Sequence, residues 1–241
     1  MKKLILSLLG IMCAFAAASA QDGSRGWKLE CEAGFTSSFY WSGLTYGGLQ
    51  TYSDVYYGYS FSEDCYLGMC LSGTDDWELN INMPLTYDTD PYYMAAFGLC
   101  AGFFGKLEVS LLGEIYQEDD MYMTGELAYT VSENFPLRLS CYTVFLGEGD
   151  RRENGKRYYS THLAASYDFS FFDERLEVSP IVEYTPWDSP FNDGFESAHW
   201  NFFGVNAKWN FMDGLFGVGA LAGWNPTFNL PVVQLSLSTT I

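Results

Sequence analysis

What this chain does without narrows its class before any motif is read. No apolar run reaches the ~18 residues that a membrane-crossing helix needs, so a helical membrane protein is excluded. Basic residues are scarce, 12 Lys and Arg against 30 Asp and Glu, giving a formal net charge of −18. Such an excess repels phosphates and argues against a nucleic-acid partner. Histidine is scarcer still, with two in the chain. One His beside one Glu, in Glu196-Ser197-Ala198-His199, does not make a metal site. Asp88-Thr89-Asp90 lacks the glycine and terminal Glu of a calcium loop and reads as a turn before Pro91. There is no G-x-S-x-G, no phosphate-binding glycine loop and no nucleotide fingerprint. No metal and no cofactor is expected.

Cysteine is sparse and unpatterned. Beyond residue 20 it occurs at Cys31, Cys65, Cys70, Cys100 and Cys141, an odd number at irregular spacing. Neither a zinc site nor a complete disulfide framework looks like this. Cys31 and Cys141 continue apolar faces, where cysteine behaves as a small hydrophobe. Cys65 and Cys70, near a turn, are the one pair placed where a bridge could form, since exported proteins meet an oxidising compartment, but the sequence does not decide it and a bridge is not the expectation.

Export is written at the beginning of the chain. Lys2 and Lys3, the apolar stretch 4–17 and then Ala18-Ser19-Ala20 before Gln21 make a secretory signal peptide over 1–20, with small residues suited to cleavage after Ala20. Cys13 follows Gly10-Ile11-Met12, which lacks the small residues that lipidation needs. Residues 21–241 then form one domain, enough for a single barrel of about a dozen strands.

Alternation is what the chain has in abundance, most clearly over 135–187. Leu137, Leu139, Cys141, Thr143 and Phe145 fall on one face, and Arg138, Ser140 and Tyr142 on the other. After the loop 147–156, Thr161, Leu163, Ala165, Tyr167 and Phe169 oppose Ser160, His162, Ala164, Ser166 and Asp168. After a short turn, Leu176, Val178 and Val182 oppose Glu177, Ser179 and Glu183. A period of two over segments of about ten residues predicts strands with one greasy and one polar face. Further candidate strands span 27–41, 49–61, 65–71, 77–87, 92–103, 107–116 and 121–131, and later 203–211, 216–224 and 233–241. That makes thirteen, whereas bacterial single-chain barrels have an even number. The segment 65–71 is the weakest, since Ser72-Gly73-Thr74-Asp75-Asp76 interrupts it. Dropping it, or merging it with a neighbour, gives twelve.

Counting back from the C-terminus puts loops 226–229, 187–196, 147–156 and 117–120 on one side, and turns 212–214, 171–173 and 132–134 on the other. Long loops on one rim and tight turns on the other is the asymmetry of an up-and-down antiparallel transmembrane β-barrel. The 18 Tyr, 19 Phe and 7 Trp, often paired as in Phe103-Phe104, Phe171-Phe172 and Phe202-Phe203, fall mostly near strand ends. Amphipathic rings belong at headgroup depth. A soluble exported β-protein, the competing fold, would place more of them mid-strand.

Parts of the chain also look familiar. Glu133-Asn134-Phe135-Pro136-Leu137, the loop 147–156 running into Arg157-Tyr158-Tyr159-Ser160, and Glu183-Tyr184-Thr185-Pro186-Trp187 resemble a family of Bacteroidetes outer-membrane barrels of unassigned function, itself distantly similar to the TorF-type barrels. Ser37-Ser38-Phe39-Tyr40-Trp41-Ser42-Gly43-Leu44 is similar to the family's aromatic segment near the first hairpin, with Ser42 where the family carries Arg. The resemblance covers about 133–211 and fades before 120. The final residue is Ile241, where most such barrels end in an aromatic. It implies the barrel fold and the bacterial outer membrane, with outer-membrane lipid, lipopolysaccharide and the barrel assembly machinery as partners. No activity comes with it.

The polar faces carry Glu78, Asn80, Asn82, Glu108, Glu114, Glu126, Arg138, His162, Asp168, Glu177, Glu183, Asn206 and Lys208. In a barrel these point into the lumen. One reading is a structural barrel filled with paired polar side chains. The other is a narrow, acid-rich channel for small solutes, favouring cations or neutral molecules. From another class comes a barrel-embedded lipid-modifying hydrolase using Ser160 and His162, with Asp168 further along. Side chains two apart on a strand are not held in the Ser–His geometry, so no enzyme activity is expected.

Overall fold

The computed structural model describes residues 26–41, 44–78, 86–87, 93–116, 121–147, 154–187, 198–212, 214–227 and 229–240. The signal-peptide assignment for 1–20 lies outside them. Among the described residues every regular element is a strand: β1 (Gly26–Trp41), β2 (Leu44–Ser62), β3 (Cys65–Glu78), β4 (Thr86–Tyr87), β5 (Tyr93–Phe103), β6 (Leu107–Tyr116), β7 (Met121–Ser132), β8 (Phe135–Leu146), β9 (Thr161–Tyr167), β10 (Phe169–Phe171), β11 (Leu176–Thr185), β12 (His199–Phe211), β13 (Phe216–Asn225) and β14 (Leu230–Thr240). β9 and β10 form one stave interrupted at Asp168, and both ladder onto β11. β4 only adds two pairs to the far end of β3. Each remaining stave pairs antiparallel with its chain neighbour, and the first pairs with the last, Glu30 opposite Thr240 and Thr36 opposite Gln234. The product is a closed barrel of twelve staves with no free sheet edge.

The pleat sorts the side chains. Met69, Leu99, Leu127, Leu139, Val205 and Leu235 are exposed on the outer face. Glu114, Thr124, Ser160, His162, Thr185, Asn201 and Asn225 are buried. An apolar outside around a polar inside is the inverse of a water-soluble sandwich. The physical cause is solvent: an apolar surface of this extent is stable against lipid tails and not against water.

Tight turns join the staves at one rim, at 63–64, 104–106, 133–134, 172–175 and 212–215. Phe104, Phe172 and Met212 hold left-handed φ there and project outward, more than half exposed. Phe172 packs on Trp209 with centroids 6.0 Å apart. At the opposite rim the connections are mostly longer, and Tyr184 meets Trp200 at 5.1 Å. Rings at both ends of an apolar belt form the girdles expected at headgroup depth.

Two local expectations change. Of the two routes to twelve, dropping 65–71 fails and merging it with a neighbour holds: β3 runs on to Glu78, pairing with β2 as far as Leu49 opposite Trp77 and with β5 as far as Asp75 opposite Tyr93. Of the candidate strand 77–87 only the two ends are among the described residues: Trp77 and Glu78 end β3, and Thr86–Tyr87 pair antiparallel with them. Ladders on both sides hold the turn-like run 72–76 extended, a tertiary effect that outweighs local propensity. The open question of Cys65 and Cys70 is answered against a bridge. Five residues of extended chain separate Cα atoms by about 16 Å, far beyond the roughly 7 Å a disulfide spans, and the odd spacing puts the two side chains on opposite faces.

Candidate functional site

The lumen is where polar chemistry gathers. Side chains on the concave face of a barrel converge, so hydrogen bonds that skip a stave mark it. Arg138 Nη2 on β8 reaches Glu108 Oε2 on β6 at 2.7 Å, across β7. The Tyr142 hydroxyl, also on β8, donates to Glu114 Oε1 at 2.7 Å across the same stave, and Thr124 Oγ1 of β7 donates to that oxygen at 2.8 Å. Asn201 Nδ2 on β12 lies 3.0 Å from His162 Nδ1 on β9, across β11.

The residues singled out from the sequence fall into four groups. Glu108 and Arg138 are ion-paired, with Glu126 in the same electrostatic neighbourhood. Glu114 and His162 are linked through Tyr142, whose ring lies 6.0 Å from the imidazole. Nearer the tight-turn rim, Ser179 Oγ donates to Asp168 Oδ1 at 2.6 Å, Asn210 Nδ2 donates to Glu177 Oε1 at 2.9 Å, and Lys208 stands opposite Glu177 in the ladder. Glu183 is buried opposite Ala164 and Phe202. Glu78 ends β3, and its side chain is not among those described.

Ser160 and His162 do not form an accessible hydrolytic pair. Ser160 is wholly buried and His162 nearly so. His162 Nδ1 is 3.0 Å from Thr185 Oγ1 as well as from Asn201 Nδ2, and Asn201 Nδ2 donates in turn to Thr185 Oγ1 at 2.7 Å. An amide N–H donating to Nδ1 makes that nitrogen the acceptor and leaves the ring proton on Nε2. An acyl chain reaches Ser160 only if the wall opens.

Two parts of the lumen were not singled out from the sequence. One is the β1–β2 wall. Lys28 Nζ pairs with Glu30 Oε1 at 2.6 Å, and the Tyr52 hydroxyl donates to Glu32 Oε1 at 3.0 Å, with Asp54 opposite Glu32. The alternation Tyr52, Asp54, Tyr56 was there to be read, but tyrosine on both faces of that strand blurred it. The other is an apolar patch of Phe202, Leu221 and Val232 with Ile181 against it. Phe202 falls on the inner face by alternation with the outward Phe203 and Val205, and β12 bulges just before it: Glu183 pairs with Phe202 and Tyr184 with Trp200, so Asn201 is the extra residue and turns inward beside it. The ring then lies over Gly204 and Gly223, where a Cβ would collide with it. An open groove of about 710 Å³ at the tight-turn rim is lined by Arg175, Glu177, Asn210 and Met212 among others.

No family model matches this chain, and no curated protein is similar to it. Among solved structures, the KdgM porin is similar over 88% of this chain and 98% of its own at 7% identity, with a TM-score of 0.47. A KdgM porin in complex with disordered oligogalacturonate gives 88%, 97%, 7% and 0.48. A mutant of the Rh. blastica porin covers 90% of this chain and 100% of its own at 10% identity and a TM-score of 0.39. At these values the likeness adds nothing to the antiparallel barrel already described. The resemblance to Bacteroidetes and TorF-type barrels rests on the quoted residues alone.

Proposed function

We propose that this barrel is an outer-membrane channel for small solutes, with a narrow acid-lined bore that favours cations. The imbalance of charge on the inner wall carries the reading. Glu32, Asp54, Glu114, Glu126, Glu177 and Glu183 share the interior with Lys28, Arg138 and Lys208, and two of those three bases are already held by Glu30 and Glu108. A bore with an excess of carboxylates concentrates cations and repels anions. The polyanionic oligogalacturonate found with KdgM porin is for that reason not carried over to this chain. Location follows from the apolar outer belt: the protein should stay with the outer-membrane fraction through carbonate extraction, and recovery in the soluble periplasmic fraction would overturn it.

Selectivity is tested in a planar bilayer under a salt gradient. The wild-type reversal potential should show cation preference. Glu126→Gln combined with Glu177→Gln should move it toward zero, because two carboxylates outside the ion pairs found among the described residues are removed. The apolar patch around Phe202 supports a second reading, a closed barrel with a structural role. Absence of any conductance would decide for that one.

A further inference from the structure

Within the bore, the β1–β2 wall and the β11–β14 wall enclose a cavity of about 220 Å³ lined by Glu32, Tyr52, Ile181, Asn206, Leu221, Gln234 and Ser236. Its lining holds one carboxylate and no basic side chain. Glu32 Oε1 accepts from the Tyr52 hydroxyl, and Oε2 has no partner among the described residues. Tyr52 is set in place by Gly34, where a Cβ would stand 2.8 Å from the ring carbon Cε1. Across the cavity, Ile181 and Leu221 present the aliphatic face of the Phe202 patch. Asn206, Gln234 and Ser236 add amide and hydroxyl oxygens between the two.

We infer that this cavity is a binding station for a small organic ammonium ion, a primary amine on a short aliphatic body; it rests on the channel reading for its access route. Each wall answers one part of such a molecule. An –NH₃⁺ group has three donors and no acceptor, matching a carboxylate beside amide and hydroxyl oxygens, while the aliphatic body lies on Ile181 and Leu221. A hydrated inorganic cation gains nothing from an apolar wall, and a neutral polyol leaves the Glu32 charge unanswered. Anions are repelled. At about 30 Å³ per water-sized group, the cavity takes roughly seven non-hydrogen atoms.

Cyclohexylammonium and its neutral analogue cyclohexanol are probes of that size. Calorimetric titration of the refolded barrel in detergent should show saturable amine binding, at least tenfold tighter than that of cyclohexanol or of K⁺. Glu32→Gln should weaken the amine at least tenfold. Leu221→Asn should weaken cyclohexylammonium while leaving NH₄⁺ unchanged. Equal binding of amine and alcohol, displacement of the amine by K⁺ at like concentration, or an unchanged Glu32→Gln affinity would each overturn the assignment. The amine–alcohol comparison uses the wild-type barrel, so it can fail independently of any folding defect in a variant. Conductance is read separately. A barrel that binds the amine without conducting overturns the channel and keeps the site; one that conducts with cation preference and binds no amine overturns the site alone.

Discussion

Leu127→Arg should keep the barrel from inserting. Leu127 lies near the middle of β7, half exposed on the outer face, with Val109 and Cys141 as ladder partners. An arginine on the lipid face near the midplane costs about 2–4 kcal/mol, a large share of a folding free energy of ~5–15 kcal/mol. Ser110→Arg is the matched control. Ser110 is on the inner face of β6 opposite Glu126, so the new guanidinium meets a carboxylate instead of hydrocarbon. Urea titration of folding into lipid vesicles, with heat-modifiable migration as the readout, should show a much smaller loss for Ser110→Arg. Equal losses would mean that the two faces are assigned the wrong way round.

Phe202→Ala should destabilise the barrel and widen it together. The side chain is fully buried although it stands in the lumen, packed over Gly204 and Gly223 and against Leu221 and Val232. Removing a buried phenylalanine costs about 3–5 kcal/mol through lost burial and the space left behind. The lower end applies here, because water from the bore refills part of that space. The same deletion takes the largest apolar obstruction from that wall, so single-channel conductance should rise as stability falls. A stability loss with no change in conductance would show that permeation does not pass the β11–β14 side. No change in either would refute the inward orientation of Phe202.

Much of the lumen could be read from the chain because alternation is local. Glu177, Glu183, Lys208 and Asn206 sit at every second position beside Val178, Val182, Ala207 and Val205, and a pleated strand has no other way to dispose them. Phe202 could not be read in this way. Counted at period two from Val205 and Phe203, it falls on the polar face, where a phenylalanine looks like an error of register. The structure keeps Phe202 on that inner face, and the extra residue in the ladder with β11 turns Asn201 inward beside it. The Tyr52–Glu32 contact was hidden for a related reason: it joins two strands, and neither strand alone records which partner lies across from it.

The sequence by itself determined the class of this protein. Period-two faces, short turns alternating with longer loops, and aromatics near strand ends leave an antiparallel barrel with a greasy exterior, because each feature depends on a residue and its nearest neighbours. Tertiary structure decided the count and the contents. Residues 72–76 became part of β3 because β2 and β5 hold them from both sides, and Trp77 and Glu78 ended that same stave, paired with Tyr87 and Thr86. Glu32 came to face Ile181 and Leu221 across a cavity because closure of β1 on β14 brings opposite ends of the chain together. Pairing register and closure are relations between distant segments, and hydrogen bonds to a partner strand outweigh the turn preference of any one stretch.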